Sequence, residues 1–535
     1  MNAIPFDFSD IGLNSALIRD YLEDDARLAE FHNGLPTQAN LEAQAARKVE
    51  DYSEKHRSVL VEVLQEQYSS MTSHPAVQEN IDKLADQNTV TLCTGHQLSL
   101  MTGPLYFIYK ILTVLKLAEE LNAHSGPATY VPVFWMASED HDFEEIASFQ
   151  YAGKKFQWNS KSAGAVGQKE LTDLLPVLDL WEKQLPQSPF SNTIHKWLEE
   201  SYRSATTLSE ATFRLVHALF QDYGLLIINA DNPRLKALFV PQMQTELLQG
   251  NCATAVNEQS QKIKSNYNKS YKPQVNPRPI NLFYLSSNYR QRILPLEEGY
   301  GLEGNSKTYT EDEILALLDN SPERFSPNVL MRPLYQECIL PNVAYIGGGG
   351  ELAYWLQLKS YFQASKIPFP LLLLRQSALL FGKKEHVKWQ KMGLELNDIF
   401  LDRNALINKK IRLISNINLD LNDLKDQLSE QFSALEPLVS QTDPSFEGAL
   451  KAQRHKQLKG LEALEKRLLK AQKRKLKDHV TRLVLLHEAF FPQGKLQERT
   501  LNFMEFYEKE GPEFLRFLYQ NFTPLVPRFW AVELS

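Results

Sequence analysis

Two strand-like runs, the β-rich Thr89-Val90-Thr91-Leu92-Cys93-Thr94 and the largely apolar Ala128-Thr129-Tyr130-Val131-Pro132-Val133-Phe134-Trp135-Met136, bracket a helical pattern from Tyr106 to Leu121. A strand that is apolar on both faces has to be covered on both faces, which is how the strands of a parallel sheet read. Strand, loop, helix, strand is a βαβ unit, and open α/β sheets present their chemistry outside the carboxyl ends of the strands. The first run ends in Thr94-Gly95-His96-Gln97 and the second in Ser138-Glu139-Asp140-His141-Asp142. Both segments are therefore expected at one edge of the same sheet.

Further strands of this kind are Leu225 to Asp231, Val343 to Ile346 and Pro370 to Arg375. Residues 10–90 and 234–267 read as helical, 151–167 as Gly- and Ser-rich loops, and 272–333 as a Pro- and Asn-rich stretch with short strands. Residues 400–490 differ in kind. Ile411, Ile414, Leu421, Leu424, Leu428, Leu435 and Leu438 mark one heptad seam, and Leu461, Leu464, Leu468 and Leu483 a second, less regular one beyond Asp443-Pro444. Two long helices joined by a short turn predict an antiparallel hairpin, whose apolar stripe packs on itself or on a second subunit.

At 535 residues the chain exceeds what one core serves. A net charge of -7 argues against a whole-chain nucleic-acid surface. The basic stretch 466–477 keeps its leucines in register and has no interleaved aromatics, which favours a solvated helix face. Three widely spaced cysteines, Cys93, Cys252 and Cys338, are neither a disulfide framework nor a Cys-x-x-Cys metal site. No signal peptide and no apolar run of spanning length is visible, so a cytoplasmic protein without membrane partners is expected.

Four motifs carry chemistry. Gly95 and Gly103 permit sharp turns before the 106–121 helix, whose N-terminus would favour an anion. Around them His96 would donate to a phosphate oxygen and Lys110 would neutralise charge, with Thr94, Gln97 and Tyr106 beside them. The Glu139-Asp140-His141-Asp142 cluster, with Glu144 and Glu145 behind it, requires a metal, a cationic substrate group or solvent. His141 with Asp142, or His96 with Asp140, would form an acid–base pair, and ligation of a divalent cation by Asp140, His141 and Asp142 is chemically allowed. No second histidine sits at a standard metal-ligand offset, so no metal ligand is assigned. The glycines Gly347, Gly348, Gly349 and Gly350, followed by a helix, let a backbone approach a ligand. Asn328, Arg332 and Gln336 precede them and Glu351, Tyr354 and Trp355 follow, with Arg332 a candidate for pairing a carboxylate or phosphate.

Taken together, Thr94-Gly-His-Gln, Thr102-Gly-Pro-Leu-Tyr, Trp135-Met-Ala-Ser-Glu-Asp-His-Asp, Ser326-Pro-Asn-Val-Leu-Met-Arg-Pro-Leu and Gly347-Gly-Gly-Gly-Glu-Leu-Ala-Tyr-Trp resemble the bacillithiol synthase family, the cysteine ligases proposed for bacillithiol biosynthesis. The resemblance covers essentially the whole chain. It implies an α/β fold: a Rossmann-like parallel-sheet core with inserted connecting segments and a long antiparallel α-helical coiled-coil arm used for dimerisation. The expected division is a core over 1–390 with insertions at about 147–222 and 234–325, an arm over 391–494, and a segment 495–535 returning to the core. The implied core is similar to class I aminoacyl-tRNA synthetases, whose Gly-x-Leu-His-x-Gly-His signature handles ATP phosphates. Here Gly103-Pro104-Leu105-Tyr106-Phe107-Ile108-Tyr109 stands at that place, with tyrosines for both histidines.

The implied activity joins L-cysteine to glucosaminyl malate through an amide bond, with ATP (or ADP) as the nucleotide. His96, Lys110 and Arg332 would stabilise phosphate or carboxylate charge. Asp140, His141, Asp142 or Glu351 would hold ammonium groups and remove a proton. The alternatives are a metal-dependent hydrolase or transferase using 139–142, and a non-catalytic, nucleotide-binding dimeric scaffold.

Overall fold

A computed structural model describes residues 1–72, 74–124, 126–160, 164–286 and 289–535. Residues 161–163 of the loop expected at 151–167 lie outside the described residues. The chain forms two compact units, one of Met1–Leu379 with Gln497–Val532 and one of Leu380–Leu496 with Glu533–Ser535.

In the first unit, helix α1 (Gln38–Asp51) precedes strand β1 (Thr89–His96), helix α2 (Tyr106–Ala123) and strand β2 (Thr129–Met136). β1 is buried from Thr89 to Gly95 and β2 from Tyr130 to Met136, and α2 is buried over most of its turns, so the apolar runs are core strands under a core helix. Strand β3 (Leu226–Asn229) and helix α3 (Pro233–Ala237) follow. Next comes an inserted antiparallel sheet of β4 (Leu282–Ser286), β5 (Tyr289–Pro295), β6 (Tyr300–Leu302), β7 (Thr308–Tyr309) and β8 (Phe325–Pro327), in the order β7-β6-β5-β4-β8. Helix α4 (Arg332–Ile339), strand β9 (Asn342–Gly347), helix α5 (Gly349–Trp355) and strand β10 (Leu371–Leu374) return the chain to the main sheet.

That sheet has the order β10-β9-β1-β2-β3, with every pairing parallel. The chain starts in the middle, builds outward through β2 and β3, then returns to the other side of β1 as β9. The order therefore reverses between β1 and β9, and such a switch point opens a crevice at the strand carboxyl ends where ligands bind. His96 ends β1 and Gly347 ends β9, and Thr94 ties the two strands by donating from Oγ1 to Ile346 O at 2.8 Å.

The second unit is helical: α6 (Arg403–Ile414), α7 (Asn422–Ser433), α8 (Ser445–Lys475) and α9 (Lys477–Phe490). Arg412 and Lys425 both reach Glu465, at 3.2 and 2.6 Å, and Arg454 reaches Glu436 at 3.7 Å, so the limbs run antiparallel. The first limb is not one long helix as the heptads predict. It stops at Ile414 and restarts at Asn422, because Ser415-Asn-Ile-Asn-Leu-Asp offers side-chain acceptors that compete with helical hydrogen bonds: Asn418 and Asp420 accept from Asp420 N and Asn422 N. The unit begins near Leu380 rather than at 391, because Trp389 of the helix Lys383–Lys391 packs on Phe490 at 5.5 Å between ring centres.

Candidate active site

The crevice predicted by the strand order is a cavity of about 390 Å³ whose wall includes Gly95, His96 and Gln97 from the end of β1. The His96 ring rests against Tyr106 and Phe107, with centroids 5.2 and 5.0 Å away, and its Nδ1 lies 2.8 Å from Gln97 O. That bond places the proton on Nδ1 and leaves Nε2 as the lone-pair nitrogen. Burial, reinforced by the Lys110 charge, pushes His96 down to about 3, so the ring is neutral. Gln97 donates from Nε2 to Asp140 Oδ2 at 2.8 Å, which links the ends of β1 and β2.

The acidic cluster after β2 is met by cations of the chain itself. Glu139 pairs with Lys236 of α3, a fully buried lysine that also donates to Phe325 O at 2.6 Å. Burial pushes Glu139 up, and Lys236 opposes that shift. Arg290 of β5, 6% exposed, stacks on Phe283 with its guanidinium carbon 4.0 Å from the ring centre. It donates to Ser326 Oγ, Pro327 O and His141 Nδ1 at 3.1, 3.0 and 2.8 Å, and lies 3.7 Å from Asp140. Burial alone would raise the Asp140 carboxyl, but hydrogen bonds from His141 and Gln97 and the Arg290 charge outweigh it and hold the group well below the carboxylate range. Asp140 is thus a fixed anion. Arg278, Arg292 and Arg332 complete a rim of four arginines around this cavity, with Asn328 and the exposed Val329 beside them.

Arg332 enters from the first turn of α4. Its Nη1 donates to Gln336 Oε1 at 3.0 Å, while Nη2 makes no well-formed hydrogen bond among the described residues, with the Tyr354 hydroxyl nearby. The guanidinium also lies over the Trp135 and Tyr345 rings, 5.9 and 5.6 Å from their centres. An arginine so placed keeps part of its donor fork for a planar anion.

A second cavity, of about 410 Å³, shares His96, Gln97, Glu351 and Tyr354 with the first. Tyr106, Lys110, Gly348, Gly350, Arg375 and Arg499 also face it. Its charges are largely matched within the protein. Lys110 Nζ is 2.6 Å from Glu351 Oε2 and donates to Gly95 O at 2.7 Å. Arg375 grips Glu498 at 2.7 and 3.1 Å. Burial works against the Glu351 charge, but Lys110, the Gly348 N–H and the Tyr345 hydroxyl prevail and hold its carboxyl at about 2.

Several expectations are corrected by this geometry. His96 is neutral, so it does not join the cations that would neutralise a phosphate. Lys110 is committed to Glu351, and Glu351, held at about 2, is too weak a base to take a proton from an amine. Within the Gly347–Gly350 run the Gly348 N–H is already taken, donating to Glu351 Oε2 at 2.8 Å. The N-terminal end of α2 is likewise covered: Leu105 N donates to Leu501 O, and Asn502 Nδ2 to Gly103 O. Gly103, at φ +64° with Ser99 2.6 Å from any added Cβ, serves the turn rather than a ligand. His141 pairs with Arg290 and not with Asp142, which is exposed, and His96 reaches Asp140 only through Gln97. Among the described residues no group of three His, Cys, Asp or Glu side chains could hold a metal ion, and Arg290 takes the counter-charge role assigned to one.

Thr94, Gln336, Gly347, Gly349 and Trp355 line neither cavity. Thr94 and Trp355 are core residues, Trp355 stacking on Tyr345 at 4.5 Å, and Gln336 stands behind Arg332. Sequence reasoning missed Lys236, Arg278, Arg290, Arg292, Arg375 and Arg499. The one available signal was Arg290 and Arg292 two residues apart, on one face of a short strand.

The comparisons agree with this architecture. Residues 1–376 match the family described as "Bacillithiol biosynthesis BshC, N-terminal Rossmann-like domain", and residues 378–534 match "Bacillithiol biosynthesis BshC, C-terminal coiled-coil domain". A protein of Flavobacterium johnsoniae is 45% identical, with 98% of each chain covered, and one of Christiangramia forsetii is 45% identical with 96% of each covered. A Flavobacterium psychrophilum relative is 42% identical, again with 98% of each covered. All three bear the name "Putative cysteine ligase BshC". With both of its units matched and its strand-end crevice in place, this chain belongs to the BshC family of bacillithiol biosynthesis.

Proposed function

We propose that this protein is a cytoplasmic ligase that joins the carboxyl of L-cysteine to the amine of glucosaminyl malate. The observation that carries the reading is a pair of cavities with a common wall, one rimmed by Arg278, Arg290, Arg292 and Arg332 and both bordered by neutral His96. The arginine rim suits the two carboxylates of a malyl group, with Arg332 offering its Nη2, which makes no well-formed hydrogen bond among the described residues beside the Tyr354 hydroxyl. Asp140, ionised at any working pH, attracts the sugar ammonium. The second cavity takes cysteine with its carboxyl activated. The sugar ammonium first gives one proton to solvent; as the resulting amine attacks that carbon, the C–N bond forms, the activating group departs, and the remaining surplus proton on nitrogen passes to His96 Nε2. Substrate carboxylates beside the ring offset the burial and the Lys110 charge that depress its proton affinity. ATP is the expected activating reagent; at the Gly347–Gly350 turn the Gly348 N–H is engaged by Glu351 and does not bind its phosphates.

Incubating the full chain with cysteine, glucosaminyl malate and ATP is expected to give the amide product with release of ADP, or of AMP and pyrophosphate. No amide with or without nucleotide would overturn the reading. The arm is proposed as a homodimer surface, since Leu464 and Leu485 stand 54% and 67% exposed on it. Light scattering should give a dimer that Leu464→Lys with Leu485→Lys dissociates; a monomeric wild type would rule this out.

A further inference from the structure

Behind Arg332 lies a polar chain that the reaction itself does not use. Glu337 is buried, at 1% exposure, in the last turn of α4. Its Oε1 accepts from Gln336 Nε2 at 2.8 Å and from Asn342 Nδ2 of β9 at 2.7 Å. Its Oε2 has no hydrogen-bond donor among the described residues and faces Lys48 Nζ of α1 at 3.9 Å, while Lys48 itself donates to Glu337 O at 3.0 Å. An ionised carboxylate can only accept. Both neighbouring amides must therefore turn their NH2 groups toward it and their oxygens away. For Gln336 the oxygen then meets Arg332 Nη1 at 3.0 Å. For Asn342 it accepts from Thr91 Oγ1 at 3.4 Å.

We propose that Glu337 is a positioning residue: through the Gln336 amide, its carboxylate sets Arg332 in the orientation that receives the substrate carboxylate. An amide is nearly symmetric in shape, and nothing but its partners decides which end faces which way. When Glu337 is ionised, only one orientation satisfies both ends. When it is neutral, the Gln336 NH2 loses its anionic acceptor and that charge-assisted bond weakens, so the amide holds Arg332 less firmly. Burial pushes Glu337 up to about 7, with Lys48 as the main opposing influence, so this exchange falls in the physiological range. The groups facing Glu337 are Lys48 from α1, Cys93 from β1, and Arg332 and Cys338 from its own helix. Burial pushes the Cys93 and Cys338 thiols well up, so both stay neutral. Raising the pH through about 7 ionises Glu337 and tightens binding.

The inference rests on the reading that Arg332 holds a substrate carboxylate, and calorimetric titration of the full chain with malate tests the two separately. Wild type is expected to bind malate more tightly at pH 8 than at pH 6.5. Glu337→Gln, of the same shape, should bind about tenfold more weakly at pH 8 and lose that component of the pH dependence. Gln336→Met breaks the relay at a second point and should match it, with the double variant no worse than either single one. Glu337→Gln or Gln336→Met binding with wild-type affinity and wild-type pH response, while Arg332→Gln fails to bind, sinks the relay and spares the site. Arg332→Gln binding as well as wild type, or a wild type that takes up no malate, sinks both.

Discussion

The charges at the strand ends and those on the helical arm obey different rules. Around the crevice the ion pairs are enclosed: Arg375 and Glu498 are 4% and 3% exposed, and Lys236 is fully buried against Glu139. On the arm Lys451 and Glu447 are 75% and 53% exposed, one turn apart on α8. A buried pair adds little net stability over an apolar pair but strongly resists losing one partner, whereas an exposed pair adds little and can be lost without consequence. At the site the charges fix geometry; on the arm they keep a helix soluble.

The sharpest way to break this contrast is Glu498→Leu. Leaving Arg375 enclosed without its partner should cost about 3–5 kcal/mol in urea unfolding, and adding Arg375→Met should recover much of it. A loss below about 1 kcal/mol would place the pair with the surface ones. Next comes Arg332→Gln, expected to raise KM for glucosaminyl malate by about 10- to 100-fold with little change in kcat, as removal of a charged hydrogen bond does. A kcat fall at unchanged KM would move Arg332 from binding to transition-state stabilisation.

Acid titration gives a smaller effect with a definite sign. Glu351 is held at about 2 in the folded protein against an ordinary 4.5, so its contribution is whole above about 4.5 and is lost as pH falls through about 2. His96, held at about 3 against 6.5, acts in the same direction between those values, because the unfolded chain takes up its proton first. Glu351→Gln and His96→Gln should each flatten the fall of melting temperature over its own window, and unchanged slopes would contradict the burial assigned to them. The smallest change is expected from Lys451→Ala, with no measurable shift in melting at low or high salt.

The α/β framework was legible because buried strands leave continuous apolar runs, and the ends of β1 and β2 followed from them. The strand order was not, since nothing local in Val343–Ile346 says that β9 returns beside β1 rather than beside β3. Nor was the arginine rim. Arg278, Arg290 and Arg292 lie in a polar, Pro-rich stretch that reads as surface, and only the inserted sheet brings Arg290 onto Phe283 beside the acidic cluster. Conversely, Gly347–Gly350 and Lys110 looked like ligand groups because sequence shows a residue's capacity and not the partner that consumes it. Glu351 takes up the Lys110 ammonium and the Gly348 N–H. The break in the arm's first limb was visible as the Asn- and Asp-rich 415–420, but the heptad spacing ran across it.

Asn502 Nδ2 donates to Met101 O and Gly103 O, residues about 400 positions earlier, and Glu498 closes on Arg375 beside the same cavity. On the ribosome this imposes an order of birth. The parallel strands and the whole arm emerge first, and the loop ahead of α2 waits unbraced until the last tenth of the chain appears. A nascent chain therefore carries this cavity unfinished through nearly all of its synthesis, and a message cut short just before codon 498 would yield the parallel strands and the arm helices without the segment that braces the cavity.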